Sequence, residues 1–303
     1  MTQKLIALVS TKPVLNLLSL RYLQPEEVLF VGTPEWHANA QHLQALIGRD
    51  LPVHLTEVRN PNDPQAVRQA IATKVRKLGW SPGDITVDLT GGSKIMSIIA
   101  YQMALEHNAD IADVELVNGR YHLRTYHVEN GRVHHFEETP LPTLITIADY
   151  LHAHVPGFTE EGVSRDQRGH IDSGGHFEAT LLQTLTPHVD ELLSGVRPAG
   201  VGNQIEIDLI LRCGNNVGIV EAKTGANKAG IDQLDTAGNP TYLGSYTQKF
   251  LITGQYLSRA HKSLALAQQI CVIELPGYVE GQTLPPQEAN RLVRTIQQTL
   301  FAP

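Results

Sequence analysis

The chain has 303 residues, of which 42% are hydrophobic and 18% are charged, and its formal net charge is -7. This composition excludes a disordered or collagen-like chain, and the acidic balance argues against a general nucleic-acid coat protein. Two cysteines are too few for a disulfide framework, and no apolar run approaches the roughly 18 residues that span a bilayer. We therefore expect a cytoplasmic protein without a membrane partner.

The first half of the chain alternates short apolar runs with helical patterns. The runs predict strands at Leu5–Val9, Val28–Val31, Val53–Val58 and Ile85–Leu89, and the periodicity predicts helices at 14–22, 36–47, 64–78 and 94–107. Apolar strands separated by amphipathic helices are typical of a parallel sheet that is covered on both faces. Val114–Val117 and 121–128, followed by a turn at 129–131, predict an antiparallel edge. We predict a Rossmann-like α/β domain over 1–140.

The second half predicts another α/β domain after a connection. A helix at about 143–154 precedes a polar, glycine-rich segment at 157–175, which we interpret as a linker or a mobile loop, so that 141–175 forms a connecting helix and linker. The second domain then covers 176–303. Its pattern predicts helices at 176–193, 227–235, 258–268 and 287–300, and strands at 203–212, 217–223, 250–253 and 271–275.

Two polar turns follow predicted strands in the first domain. They are Ser10-Thr-Lys-Pro13 after the first strand and Thr90-Gly-Gly-Ser-Lys94 after the fourth. Paired glycines let the backbone approach a ligand closely, and a helix N-terminus offers free amides to an anion. Serine and lysine add hydroxyl and ammonium contacts. Because open α/β sheets bind ligands at the carboxyl ends of their strands, we predict a phosphate-bearing ligand here, with Thr33 facing the same crevice.

Common nucleotide motifs do not explain these turns. The spacing matches neither a Walker A loop nor Gly-x-Gly-x-x-Gly, and a Gly-Gly pair alone indicates only a tight turn capped by Ser93. Together, Ser10–Asn16 and Leu89–Met96 resemble the turns of the CRISPR-associated Rossmann fold (CARF) sensor domain, where threonine is usual in place of Ser93. This resemblance implies a homodimer that binds a cyclic oligoadenylate, with cyclic tetra-adenylate as the expected ring. The implied ligand-binding residues are Ser10, Thr11, Lys12, Thr33, Thr90, Gly91, Gly92, Ser93 and Lys94.

The second domain carries two acids and a lysine on consecutive predicted strands. Asp208 lies within 205–211, and Glu221 and Lys223 end the run 218–223. Residues two apart on a strand face the same side, and a hairpin would place Asp208 beside them. Clustered carboxylates need a cation, and their hard oxygens select Mg²⁺ or Mn²⁺, which promote phosphodiester hydrolysis. We predict that Asp208 and Glu221 bind metal, and that Lys223 orients the attacking water or stabilises developing negative charge.

This arrangement resembles the PD-(D/E)xK nuclease signature, although Ile207 replaces the usual proline before the aspartate. The resemblance implies that Glu178, on the preceding helix, is a further catalytic and metal-binding acid that acts directly or through water. It also implies a catalytic role for Gln233 on the following helix. Glu-x-Lys alone is a frequent tripeptide that also forms ordinary exposed ion pairs. Glu206 fits a position near the metal and a surface position equally well.

The order of the two domains resembles that of the CARF–nuclease effectors of type III CRISPR immunity. The resemblance implies a homodimeric, metal-dependent endonuclease that a cyclic oligoadenylate activates allosterically and that cleaves DNA, RNA or both. Two alternatives stay open: an enzyme that degrades its own cyclic oligoadenylate, and a non-catalytic protein that binds a nucleotide. A restriction-type nuclease without a messenger would leave the first domain unexplained.

Overall fold

The computed structural model describes residues 4–200, 205–226, 228–239, 242–244 and 247–301. The chain divides into two compact units, the first comprising 1–144 with 152–154 and the second 145–151 with 155–303. The division falls within helix α5 (Ile147–His154), inside the segment that we expected to connect two domains. No helix of the described ranges is long and apolar enough to cross a membrane.

The first unit is a seven-stranded sheet with helices between its parallel strands. The strands are β1 (Lys4–Leu8), β2 (Glu27–Gly32), β3 (Val53–Glu57), β4 (Ile85–Asp88), β5 (Asp110–Val117), β6 (Arg120–Glu129) and β7 (Arg132–Pro140). The helices are α1 (Pro13–Leu23), α2 (His37–Ile47), α3 (Pro64–Leu78) and α4 (Lys94–His107). The order is β3-β2-β1-β4-β5-β6-β7, in which β1 to β5 are parallel and β6 and β7 are antiparallel. This architecture confirms the predicted Rossmann-like α/β class.

The strand order places a natural ligand crevice beside β1. This strand pairs with β2 on one side and with β4 on the other, so that Ile6 lies opposite both Leu29 and Val87. All three side chains are buried, as expected for parallel strands that helices cover on both faces. Because the direction of strand succession reverses at β1, the turns after β1 and β4 meet at the switch point of the sheet.

The second unit is built on a six-stranded mixed sheet. Its strands are β8 (Phe158–Glu160), β9 (Glu191–Pro198), β10 (Ile207–Cys213), β11 (Asn216–Lys223), β12 (Gln248–Thr253) and β13 (Ile270–Glu274). Its remaining helices are α6 (Ser173–Leu185), α7 (Ala229–Ala237), α8 (Arg259–Ala267) and α9 (Pro286–Leu300). The order is β13-β12-β11-β10-β9-β8, with β11 to β13 parallel. Buried apolar side chains of α6 and α9, including Phe177, Leu181, Leu292 and Ile296, share one core with the sheet.

Two strands of this sheet differ from the sequence prediction. The helix predicted at 176–193 ends at Leu185 because Pro187 cannot continue it, and 191–198 forms β9 instead. The polar segment 157–175 is not a free linker, since Phe158–Glu160 pairs with β9 as the edge strand β8. Residues 203 and 204 of one predicted strand, and Asn227 of one predicted helix, lie outside the described residues.

Candidate functional site

The first candidate site is a crevice of about 380 Å³ at the carboxyl ends of the parallel strands. Ser10 follows β1, Thr33 follows β2, and Gly92 and Ser93 follow β4, and all four residues line the crevice. The hydroxyl oxygen of Thr33 is buried and has no hydrogen-bond partner among the described residues. Buried polar groups are normally satisfied, so this hydroxyl indicates a missing partner such as a bound ligand.

Close packing against β1 dictates the Gly-Gly turn. A β carbon on Gly91 would lie 2.0 Å from the carbonyl oxygen of Leu8, so only glycine fits there without a backbone shift. Gly92 has a φ of 77°, in the left-handed region that favours glycine. The hydroxyl of Ser93 then accepts a hydrogen bond from Met96 N at 3.3 Å and caps α4.

Asp88, the last residue of β4, stabilises the turn through hydrogen bonds to Thr90. Its carboxylate is fully buried, and Oδ1 accepts hydrogen bonds from Thr90 N at 2.9 Å and from the Thr90 hydroxyl. Asn16 Nδ2 donates to Asp88 Oδ2 at 3.4 Å. Burial raises the pKa of Asp88 to about 6, although the hydrogen bonds from Thr90 oppose the rise. Asp88 therefore positions the turn rather than contacting an anion.

Side-chain hydrogen bonds hold the loops around the crevice together. Asn39 Nδ2, on α2, donates to the carbonyl oxygen of Ser10 at 2.8 Å. The hydroxyl of Ser93 donates to the carbonyl oxygen of Pro61, after β3, at 3.4 Å. The crevice is therefore formed before any ligand enters, which lowers the entropic cost of binding.

The predicted ligand residues do not all line this crevice. Thr11 and Lys12 are half-buried where α1 begins, and Lys94 is the exposed first residue of α4. Thr90 and Gly91 form the base of the turn below its surface. The lining also includes residues that the sequence patterns did not single out, namely Pro34, Glu35, Trp36 and Pro61. Their position directly after β2 and β3 is the one signal that sequence reasoning had available.

The second candidate site lies on the hairpin of β10 and β11. The register places Leu209 opposite Val220, and Ala222 N donates to Asp208 Oδ2 at 2.7 Å. Lys223 Nζ lies 3.9 Å from Asp208 Oδ2 and forms an ion pair with Glu221 Oε1. The structure thus brings together the two acids and the lysine that the spacing predicts.

Burial dominates the electrostatics of this hairpin. The Glu221 side chain is 2% exposed, and burial together with the charge of Asp208 raises its pKa. Burial also raises the pKa of Asp208, although Lys223 opposes the rise. For Lys223, burial lowers the pKa, but the charges of Glu221 and Asp208 more than compensate and raise it overall. When all three groups ionise, one negative charge in this buried cluster has no counterpart.

A divalent cation fits the donor atoms of this hairpin. Mg²⁺ in proteins is commonly bound by one or two carboxylates, with water and substrate phosphates completing its shell. Asp208 and Glu221 offer two such carboxylates, and Lys223 balances only one of their two negative charges. In the described ranges, no group of three or more His, Cys, Asp or Glu side chains is arranged to hold a metal ion. A third carboxylate ligand is therefore not already in place.

Glu178, on α6, is close enough to interact electrostatically with this cluster, but its hydrogen bond comes from the segment before α6 and not from the hairpin. It is buried, and its Oε2 accepts a hydrogen bond from Ser164 N at 2.9 Å. Burial raises the pKa of Glu178 to about 7, and the charge of Asp208 adds to the rise. The Ser164 hydroxyl also donates to Asp172 Oδ2 at 2.8 Å. Part of the segment that we interpreted as a linker or a mobile loop is thus anchored at the candidate site.

The two other predicted residues lie at the surface. Gln233 is exposed on α7, and no hydrogen bond joins it to Asp208 or Glu221 in the described part of the chain. Glu206 pairs with Arg197 of β9 at 2.8 Å, and both side chains are exposed. This ion pair favours the surface interpretation of Glu206.

Gly230, in α7, is a feature of the site that sequence reasoning missed. A β carbon there would lie 3.2 Å from Glu221 Cγ, 3.5 Å from Lys223 Cγ and 2.7 Å from Leu251 Cδ1. The absence of a side chain therefore lets the first turn of α7 pack directly on the two charged residues of β11. A lone glycine near a helix start carries no sequence signal that distinguishes this role.

Comparison with known proteins supports the CARF resemblance. Residues 5–150 match the family model described as the Card1 CARF domain. This stretch contains both turns of the crevice, so the match confirms the resemblance that these turns carry. No curated protein matches the chain in a sequence comparison.

Solved structures share the fold at low sequence identity. Can2 from Sulfobacillus thermosulfidooxidans, solved in complex with cyclic tetra-adenylate (cA4), aligns with a TM-score of 0.72 at 14% identity, over 99% of this chain and 98% of that chain. Protein VC1899 from Vibrio cholerae aligns with a TM-score of 0.69 at 15% identity, over 98% and 97%. A type III CRISPR defence DNA nuclease activated by cyclic oligoadenylate aligns with a TM-score of 0.63 at 16% identity, over 97% of this chain but 52% of that chain. The two-unit α/β fold of this chain is therefore a known one.

Proposed function

Because residues 5–150 match a CARF domain and the whole chain shares the fold of Can2, we propose that this protein is a cytoplasmic type III CRISPR effector nuclease. Its first unit binds a cyclic oligoadenylate, and its second unit cleaves nucleic acid when the ring is bound. The observation that carries the proposal is the coexistence, in one chain, of a switch-point crevice and a buried Asp–Glu–Lys cluster.

We propose cyclic tetra-adenylate as the activator. Can2, which has the same fold, was solved with this ring. Ser10, Gly92 and Ser93 line the crevice, and the start of α4 offers amides to a phosphate. Lys94 is exposed at the same helix start and supplies a cation for the ring's outer phosphates. Thr11 and Lys12, at the start of α1, contact the ring where it extends beyond the crevice.

A homodimer would cover the apolar surface beside this turn. Ile98 and Tyr101 of α4 are 52% and 39% exposed, and Phe136 of β7 is 47% exposed. Tyr101 and Val133 line one depression of about 560 Å³, which reaches back to Leu89 before the ligand turn. Exposed apolar patches of this kind mark association sites, and a two-fold dimer would present both crevices to one symmetric ring.

Each predicted site residue of the second unit has its own role in phosphodiester cleavage. Asp208 and Glu221 would hold Mg²⁺ or Mn²⁺, which when bound supplies Lewis-acid stabilisation and a more acidic water. Lys223, fixed between the two carboxylates, stabilises negative charge on the phosphate oxygens and helps to orient the water. Glu178 is held by Ser164 and orders water at the edge of the cluster. Gln233 contacts the nucleic-acid backbone from the exposed side of α7.

A cleavage assay tests this proposal. Purified protein is incubated with Mn²⁺ and either plasmid DNA or single-stranded RNA, with and without cyclic tetra-adenylate, and the fate of the ring is followed in parallel. We expect ring-dependent cleavage that Glu221→Ala or Lys223→Ala abolishes, whereas Glu206→Gln, at the surface ion pair, retains it. Activity that survives both substitutions would refute the catalytic assignment. Loss of the ring without cleavage of nucleic acid would instead favour an enzyme that degrades its own messenger.

A further inference from the structure

We infer that each crevice binds one nucleotide of the ring and stacks its base on Trp36, so that a dimer reads two of the four bases of cyclic tetra-adenylate. This inference rests on the proposed function of the first unit. The inference specifies which part of the ligand binds each side of the crevice. It also specifies how many of the bases contribute to affinity.

The two sides of the crevice differ in chemistry. One side consists of Ser10, Gly92 and Ser93, which offer hydroxyl groups and backbone amides, and it adjoins the N-terminus of α4. The other side follows β2, is mostly apolar and carries an acid: Pro34, Glu35 and Trp36. A carboxylate repels a phosphate, so the phosphate belongs on the glycine side and the base on the tryptophan side.

Trp36 is suited to hold a base because its backbone is fixed and the residue lines the crevice while remaining partly exposed. Trp36 N donates to the carbonyl oxygen of Thr33 at 3.1 Å, which closes a short 3-10 turn that begins at Pro34. Asn39, one turn further along the chain, is tied to the loop after β1. Aromatic side chains bind unpaired bases by stacking, because every base has a π face. Glu35 is an acceptor for amino hydrogens at the edge of a base that lies on the neighbouring indole.

The size of the crevice limits how much of the ring it takes. Its volume of about 380 Å³ lies near the lower end of the range of about 300–1,000 Å³ for small-molecule pockets. This volume suits one nucleotide rather than a ring of four. In a two-fold dimer the two crevices are equivalent, so they take nucleotides from opposite positions of the ring, and the two intervening bases lie outside both crevices.

Modified rings test this inference by calorimetric titration of the full chain. One ring lacks the bases at two opposite positions, and a second ring lacks the bases at two adjacent positions. The first ring still offers one base to each crevice, so we expect its affinity to stay within about threefold of the unmodified ring. The second ring always leaves one crevice without a base, and stacking is worth about 5- to 150-fold per base, so we expect at least a fivefold loss.

The outcomes separate this inference from the proposed function. Equal affinity for all three rings, or an equal loss of affinity with both modified rings, would overturn the inference that the dimer binds two of the four bases. Failure of the unmodified ring to bind would overturn the proposed function itself, and this inference with it.

Substitution of the tryptophan provides an independent test. Trp36→Ala removes stacking from both crevices, so we expect affinity for the unmodified ring to fall by about 25-fold or more, with Trp36→Phe restoring most of it. Trp80→Phe is the matched control, because Trp80 is buried in the core of the same unit. Wild-type affinity in a folded Trp36→Ala variant would overturn the inference.

Discussion

Substitution of Asp88 tests whether a buried carboxylate supports the ligand turn at a cost in stability. Burial raises the pKa of Asp88 from 3.8 to about 6, so its ionised form is about 3 kcal/mol less favourable in the folded than in the unfolded chain. Because the pKa is higher in the folded chain, the protonated Asp88 carboxyl favours the folded state. This stabilisation is fully present below about pH 3.8 and is lost as the pH rises through about 6. Asp88→Asn removes the charge but keeps an acceptor for Thr90. Its amide nitrogen takes the place of the oxygen that accepts from Asn16 Nδ2, and the loss of that hydrogen bond does not depend on pH.

As the pH rises from about 4 to about 8, we expect the free energy of unfolding of Asp88→Asn to increase by about 2 kcal/mol relative to that of the wild type, because only the wild type loses the protonated carboxyl. Urea unfolding monitored by tryptophan fluorescence measures this difference for the first unit, because Trp36 and Trp80 both lie there and are the only tryptophans of the sequence. Asp50→Asn, at an exposed carboxylate, is the matched control and should show no such gain. A difference between Asp88→Asn and the wild type that does not change with pH would refute this explanation.

Three further predictions concern the two sites. Gly91→Ala should weaken binding of cyclic tetra-adenylate at least tenfold in a titration, because its β carbon meets Leu8, whereas Gly83→Ala has open space and should bind normally. Gly230→Ala should slow cleavage at least tenfold by displacing Glu221, with Gly225→Ala as the control; equal rates would contradict the packing of α7. Chelation of divalent metal should abolish binding of nucleic acid in a gel-shift assay, because the net charge is -7; strong metal-free binding would contradict the site.

Sequence patterns predicted the elements of the first unit closely, for a physical reason. Its strands β1 and β2 have buried apolar residues on both faces, and α3 shows helical periodicity with Val67 and Ile71 buried one turn apart, so local composition and burial agree. The second unit was harder. Strand β9 contains Gly195 and ends at Pro198, and a β carbon on Gly195 would lie 2.1 Å from the carbonyl oxygen of Gly162. Packing between distant segments, rather than local propensity, therefore determines that strand.

The candidate sites show the same limit. Asp208, Glu221 and Lys223 could be grouped from spacing alone, because strand periodicity and one hairpin fix their positions. Trp36 and Gly230 could not, since their roles depend on which loop or helix passes over a strand end. Gln233 is exposed on α7, and its catalytic role stays a prediction.

We propose that a ring bound to the first unit controls cleavage by the second. The most direct test titrates cyclic tetra-adenylate into the wild-type protein at saturating Mn²⁺ and measures the rate of nucleic-acid cleavage. We predict a rate that rises from near zero and saturates at one ring per two chains, with a midpoint that matches the binding affinity. A cleavage rate that is independent of the ring would contradict the account.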